Sequence, residues 1–244
     1  MAPATDTAVR PRRSSSWRQF KAILRKDIVM ELRTKEMLTS MGLYTLLTLL
    51  IYQVALSQSG SGFDVRLIAA GLLWLAFLFT SMLGLNRSLV HEKDQGCLEA
   101  LLLSPVDRPV IFFAKATGNL VFLLIVEVLT IPLFFLMFLS GRAIGGDFWM
   151  IPLALIAGSI GIAGVGTLLA TMSVNTSGKD FILAVMMVPI MYPLLLGVVS
   201  ATSAAILGGP DYVGVFWRGL AFAGGYDAIM LLAAFGLYEF IVGA

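Results

Sequence analysis

The 244-residue sequence predicts an all-α polytopic membrane protein with six transmembrane helices. Its residues are 58% hydrophobic and only 13% charged, and its mean hydropathy is +0.90. Soluble domains are roughly 45–50% apolar and about 25% charged, so a soluble chain of this size has no interior large enough for these residues. The apolar runs also exceed the roughly 18 residues that mark a spanning segment. The predicted spans are 37–57, 67–86, 117–139, 149–172, 181–207 and 220–242.

The spans are predicted to be helices rather than strands of a barrel. Backbone amides in lipid must pair within the chain, so only helices and closed barrels cross a membrane. In a sequence, the strands of a membrane barrel are segments of roughly ten residues in which apolar and polar residues alternate. The runs in this sequence are longer and lack that alternation. Helices are therefore the expected spanning elements.

Two segments precede the first span. Residues 1–16 are rich in Ala, Pro, Thr, Ser and Arg, and we expect a disordered cytoplasmic tail because little apolar content offsets the entropy of ordering. Residues 17–36 carry apolar side chains at helical spacing with basic residues between them. The apolar residues are Trp17, Phe20, Leu24 and Ile28. This pattern predicts an amphipathic helix that lies at the membrane interface, with a helix packed on the first span as the alternative.

A polar elbow, residues 87–115, separates the second and third spans. It contains four basic and four acidic residues in a chain otherwise dominated by uncharged runs. Residues 96–103 are compatible with a short helix that Ser104 and Pro105 end, and Asp107 or Ser104 is a candidate cap for the next helix. We interpret the elbow as a cytoplasmic segment that binds another protein, within a six-helix membrane domain of residues 37–244.

The distribution of Lys and Arg predicts the orientation. With six spans, fourteen basic residues fall on the side of the N-terminus and only three on the other side. The side with more Lys and Arg is normally cytoplasmic, so both termini are expected in the cytoplasm and the chain in a bacterial inner membrane. The net charge of +2 reflects this bias, and we do not interpret it as a sign of nucleic-acid binding.

Two acidic residues interrupt the predicted spans. Glu127 falls near the middle of the third span, and Asp227 falls in the outer part of the sixth. A carboxylate at such depth is costly, so it should face the bundle interior, carry a proton or meet a partner. A polar clasp between helices and a contact with substrate are both consistent with Glu127. A pair of catalytic carboxylates would require both groups to face one cavity, and their estimated depths differ.

Small residues and prolines distinguish the fourth and fifth spans. Close glycine spacing in the fourth span predicts a tightly packed helix at the centre of the bundle. These glycines are Gly158, Gly161, Gly164 and Gly166. Pro189 and Pro193 predict a kink or break in the fifth span. We expect an outer loop at 208–218 that forms a small interfacial helix.

Residues needed for several kinds of catalysis are scarce. His91 is the only histidine and Cys97 the only cysteine, which excludes His-based triads, multi-histidine metal sites and paired-cysteine chemistry. Residues 177–180 resemble the end of a phosphate-binding loop, but the required glycine spacing is absent. The expectation is a chain that is not an enzyme, with no catalytic or metal site and no ATP site.

Two motifs carry a resemblance to a known family. They are KDIVMELRTKE at 26–36 and EKDQGCLEALLLSPVDR at 92–108, with FAK following at 113–115. Together with the six spans and the elbow after the second span, they resemble the CcmB family of haem exporter permeases, within the ABC-2 class. An ABC-2 permease that exports a lipid, a polysaccharide or a drug is the alternative.

The resemblance implies partners and site residues. Such a permease pairs with a separate cytoplasmic ATPase, to which ATP binds, and with haem-handling membrane proteins of cytochrome c maturation. ATP hydrolysis drives release of a haem-loaded chaperone, haem is a transported or handled ligand, and two copies per complex are expected. The elbow is the coupling element, although its features also suit a well-capped loop. The candidate ATPase contacts are Glu92, Asp94, Gly96, Leu98 and Glu99.

Overall fold

The computed structural model is helical across the residues that it describes, which are 15–58, 64–94, 106–140, 145–147, 149–173 and 179–241. Within these residues lie α1 (Ser16–Thr34), α2 (Glu36–Ser57), α3 (Arg66–Asp94), α4 (Arg108–Phe138), α5 (Met150–Ser173), α6 (Lys179–Leu207) and α7 (Pro210–Ile241). Each helix from α2 to α7 contains a segment long and apolar enough to cross a membrane. The prediction of an all-α protein with six transmembrane helices is confirmed.

Helix α5 lies at the centre of the bundle, where it contacts α3, α4, α6 and α7. Most of its residues are buried and none is charged. A Cβ atom at Gly158 would overlap the indole ring of Trp74, and one at Gly166 would overlap the side chain of Leu85. Glycine therefore lets these neighbours approach the α5 backbone. The predicted central, closely packed helix is confirmed.

Helices α6 and α7 form a close pair. A Cβ atom at Gly197 would lie only 2.9 Å from the carbonyl oxygen of Gly219, so the two backbones meet at these glycines. The Tyr226 hydroxyl of α7 donates a hydrogen bond to a backbone carbonyl of α6 between its two prolines. Despite Pro189 and Pro193, α6 is one continuous helix, so the prolines do not break it.

The prediction of an outer loop and a separate small helix at 208–218 is wrong. Helix α7 begins at Pro210 and continues to Ile241 without interruption. Proline suits the first turn of a helix, where its missing N–H has no intrahelical partner. No proline follows within α7, and Gly219 is accommodated by its contact with α6. Continuous helix is therefore favoured throughout this segment.

The helices that border the elbow are longer than the apolar runs indicate. Helix α3 continues to Asp94 rather than ending at residue 86, and α4 begins at Arg108, directly after the predicted cap Asp107 and before the third predicted span. Apolar length marks only the segment suited to lipid, whereas helix formation continues into the polar sequence. Asp107 occupies the N-cap position of α4 without a side-chain capping hydrogen bond. The predicted short helix at 96–103 lies outside the described residues.

The N-terminal helix α1 packs mainly against α4. Its Ile23 side chain is buried, and Leu24 lies within van der Waals distance of a Cβ position at Gly118. By contrast, Trp17 is 61% exposed and Leu32 is 51% exposed. The predicted helix is present, but part of its apolar surface is covered by the third span rather than by the interface or the first span.

Candidate coupling site and intramembrane carboxylates

The coupling residues predicted from the elbow fall largely beyond the described part of the chain. Glu92 and Asp94 belong to the last turn of α3, where the structure describes the backbone and not these side chains. Gly96, Leu98 and Glu99 lie outside the described residues. Their contact with an ATPase stays a prediction. What the structure describes is how the two ends of the elbow are attached to the rest of the protein.

The α3 end of the elbow is attached to α2 by an exposed ion pair. Nη1 of Arg87 lies 3.2 Å from Oε1 of Glu36. The two side chains are 48% and 70% exposed, so water competes with the contact. A pair of this kind contributes little to stability, since solvent screens the attraction and two long side chains lose freedom.

The α4 end of the elbow is attached to α1 by a buried ion pair. Nζ of Lys115 donates a hydrogen bond of 2.7 Å to Oδ2 of Asp27, and the two side chains are only 3% and 11% exposed. Lys26 also lies 3.2 Å from the other Asp27 oxygen. One helical turn before each member of the pair, Ile23 and Ile111 belong to an apolar cluster formed by residues of four helices. It includes Ile23, Ile111, Phe112, Leu168, Ala234 and Tyr238.

Sequence reasoning did not identify the Asp27–Lys115 pair. Both residues lie in the segments that carry the family resemblance, but 88 residues separate them. Two features of the sequence mark these residues as unusual. Lys115 lies at the start of an apolar run, and Asp27 is an acid within a basic helix. These signals indicate that each residue needs a partner, and they do not identify which one.

The connection between α1 and α2 is a tight bend at Lys35. This residue has φ 55°, in the left-handed region, and it is the residue between the two helices. The carboxylate of Glu31 accepts a hydrogen bond of 2.9 Å from the backbone N–H of Leu38, which lies in the first turn of α2. This bond satisfies a donor that has no partner within the helix. The α1–α2 junction is therefore held by a side chain of α1.

Glu127 lies inside the bundle, between α4 and α5. Its side chain is 1% exposed, and its Oε1 atom lies 2.6 Å from Oγ of Ser159 on α5. The same Ser159 oxygen lies 2.8 Å from the carbonyl oxygen of Leu155. No hydrogen-bond partner for Oε2 occurs among the described residues. Glu127 therefore joins two helices, as the polar-clasp interpretation predicts.

Asp227 contacts a different face of α5. It is 6% exposed, and its carboxylate lies against the backbone at Gly161, where a Cβ atom would collide with it. Ser159 and Gly161 differ by about 200° around the helix and by about 3 Å along it. The estimate that Glu127 and Asp227 lie at different depths is therefore wrong. Because α5 separates the two carboxylates, they do not form a catalytic pair.

No group of three or more His, Cys, Asp and Glu side chains in the described part of the chain is placed to hold a metal ion. The buried polar contacts instead join helices in pairs. Asn119 of α4 donates to Thr167 of α5 at 2.9 Å, and Trp74 of α3 donates to Thr202 of α6 at 2.9 Å. These contacts are typical of the interhelical hydrogen bonds of membrane bundles.

Comparison with known proteins places the chain in a family. The family described as CcmB protein matches residues 18–237, which include the elbow, five spanning segments and all but the last residue of the sixth. Heme exporter protein B of Pseudomonas aeruginosa is 27% identical over 154 residues, covering 63% of this chain and 67% of that protein. Heme exporter protein B of Bradyrhizobium diazoefficiens is 27% identical over 192 residues, covering 78% and 83%. The match along nearly the whole length shows that this chain is a multi-pass membrane protein of the CcmB family.

Proposed function

We propose that this chain is the membrane component of an ATP-driven complex that exports haem or releases a haem-loaded chaperone in cytochrome c maturation. The match of the CcmB family to residues 18–237 is the observation that carries the proposal. The similar proteins from Pseudomonas and Bradyrhizobium are both named heme exporter protein B, which supports the same role. In this role the chain is a transport subunit rather than an enzyme, and haem is its substrate.

A separate cytoplasmic ATPase binds and hydrolyses ATP and contacts the elbow. Glu92, Asp94, Gly96, Leu98 and Glu99 are the proposed contact residues. Support comes from the position of this segment between two spanning helices, each attached to the α1–α2 region by an ion pair. A short helix with an acidic beginning and an apolar face suits a groove on a soluble partner.

The proposed orientation places both termini and the elbow in the cytoplasm, with the chain in a bacterial inner membrane. Six spanning helices put the two ends of the membrane domain on the same side. The excess of Lys and Arg on that side supports a cytoplasmic location. The complex contains two copies of the chain, together with haem-handling membrane proteins, and has no role for nucleic acid.

Purification of the tagged chain from its native membrane tests the proposed function. We expect mass spectrometry of the bound proteins to identify an ABC-type ATPase together with membrane proteins that handle haem. We also expect the absorption spectrum of the purified complex to contain a haem band. An ATPase accompanied by lipid or polysaccharide export proteins, without haem, would contradict the haem role and favour another ABC-2 permease. An unrelated membrane protein, tagged and purified in the same way, controls for adventitious partners.

A further inference from the structure

We propose that Glu127 is a proton-binding site inside the membrane, and that its bound proton joins α4 to α5 through Ser159. The proposal does not depend on haem export, and it assigns a state and a role to a side chain whose place between helices is described above. It follows from the number of hydrogen atoms that the contacts around Ser159 require.

The Ser159 hydroxyl has two oxygen neighbours and one hydrogen. Its Oγ atom lies 2.6 Å from Oε1 of Glu127 and 2.8 Å from the carbonyl oxygen of Leu155. If Glu127 is ionised, both neighbours are acceptors, and a serine hydroxyl has a single hydrogen to donate. One contact then joins two oxygens without a hydrogen between them, or both share one weakened bond.

A proton on Glu127 resolves this conflict. The acid O–H donates to Oγ of Ser159, and the Ser159 O–H donates to the carbonyl oxygen of Leu155. Each of the two contacts is then a hydrogen bond with its own hydrogen. Glu127 of α4 donates to Ser159, and Ser159 donates to the backbone of α5. The second oxygen, Oε2, has no partner among the described residues. An unpartnered oxygen is far less unfavourable on a neutral acid than on a buried charge.

No ion pair among the described residues includes Glu127. Helix α5 has no charged residue, and Asp227 of α7 lies across α5 on its opposite face. The other α7 ions with described side chains, Asp211 and Arg218, lie within the first nine residues of that helix. Lys115 precedes Glu127 by twelve residues on α4, or about 18 Å along the axis, and is paired with Asp27 of α1. On α2 and α3 the charged residues with described side chains lie near the helix ends. They are Glu36, Arg66 and Arg87.

The Glu127–Ser159 contact has the same alignment of α4 and α5 as a second, uncharged contact between these helices. Asn119 and Thr167 form the hydrogen bond nearer the α1 end of the bundle. Glu127 follows Asn119 by eight residues on α4, and Ser159 precedes Thr167 by eight residues on α5. The two contacts therefore belong to one antiparallel alignment of the helices. The amide contact is independent of pH, whereas the full series of hydrogen bonds from Glu127 through Ser159 to the carbonyl oxygen of Leu155 requires the proton on Glu127.

Infrared spectroscopy of the full-length protein in lipid nanodiscs tests the protonation state. Carbon-13 labelling of glutamate separates the Glu side chains from those of aspartate, including Asp227. At neutral pH we expect a carbonyl band of a neutral carboxylic acid in the wild-type protein and its loss in Glu127→Gln. In Ser159→Ala the band should persist at a shifted frequency, because the acid loses its hydrogen-bond acceptor. A labelled spectrum that contains only carboxylate bands, or an acid band that Glu127→Gln retains, would overturn the proposal.

The pH dependence of thermal stability tests separately whether the proton on Glu127 joins α4 to α5. A proton bound in the folded protein and released on unfolding makes stability fall as pH rises. We expect a smaller decrease of Tm with rising pH in Glu127→Gln, whose amide remains neutral and donates to Ser159. Asp227→Asn is the matched control. It should retain the part of the decrease of Tm with rising pH that is due to Glu127. Equal slopes in Glu127→Gln and the wild-type protein would show that the proton does not join the helices.

Discussion

The two ends of the elbow are attached to the protein in different ways. On the α3 side, Arg87 meets Glu36 in a pair that solvent reaches. On the α4 side, Lys115 meets Asp27 in a buried pair, one helical turn along α1 from Ile23 of the apolar cluster. A buried pair resists separation much more strongly than an exposed one, because breaking it leaves a charge away from water. The elbow is therefore firmly attached to α1 at one end and loosely attached to α2 at the other.

This difference suggests how force on the elbow reaches the membrane domain. If the elbow binds an ATPase as proposed, a push from that partner would displace α4 and α1 together, because they share buried contacts, while the α3 end is held weakly. Helix α4 also carries Glu127, which contacts central helix α5. Packed contacts therefore lead from the α4 end of the elbow to the centre of the bundle. Substitutions at the two ends of the elbow test the difference between them.

Loss of the buried pair should have the largest effect. We expect Asp27→Ala to lower the free energy of unfolding by about 3 kcal/mol or more, because Lys115 loses this carboxylate partner in a buried position. A denaturation titration in mixed micelles measures the change. The double variant Asp27→Leu/Lys115→Met, which replaces the pair with apolar side chains, should recover most of the stability. A single variant as stable as the wild-type protein would contradict the firm attachment.

Removal of the apolar contact beside that pair should have an intermediate effect. Ile23→Ala deletes the buried side chain of α1 that packs near Ile111 and Phe112, so we expect a loss of about 2 kcal/mol. Val29→Ala is the matched control on the same helix, since Val29 is 46% exposed, and it should change stability by less than about 0.5 kcal/mol. The same titration measures both. Equal losses would show that Ile23 contributes no more than an exposed side chain.

Loss of the exposed pair should have the smallest effect. Glu36→Gln removes the partner of Arg87, and we expect a change below about 1 kcal/mol. Even this small difference should nearly vanish in 1 M salt, where the Debye length is about 3 Å. Comparing the unfolding titrations of Glu36→Gln and wild-type protein at low and high salt checks the prediction. A loss as large as that of Asp27→Ala would remove the contrast between the two ends.

Sequence patterns predicted the parts of the fold that depend on local composition. Long apolar runs gave all six spans, and the glycine spacing placed α5 at the centre, because both properties act within one helix. The patterns were less informative where distant segments meet. Asp27 and Lys115 are far apart in sequence, and nothing local to Glu127 indicates that Ser159 is its partner. The loop predicted at 208–218 was wrong because packing on α6 favours continuous helix there.

Binding of the ATPase to an altered elbow is the most direct test of the proposed coupling. The measurement is the amount of ATPase that copurifies with the tagged double variant Glu92→Lys/Glu99→Lys, relative to wild-type protein. Asp147→Lys, at an exposed residue between α4 and α5, controls for added positive charge. We predict that the double variant keeps its Tm and loses bound ATPase by about tenfold or more, while the control retains it. Wild-type amounts of ATPase on the folded double variant would contradict the assignment of the elbow as the coupling element.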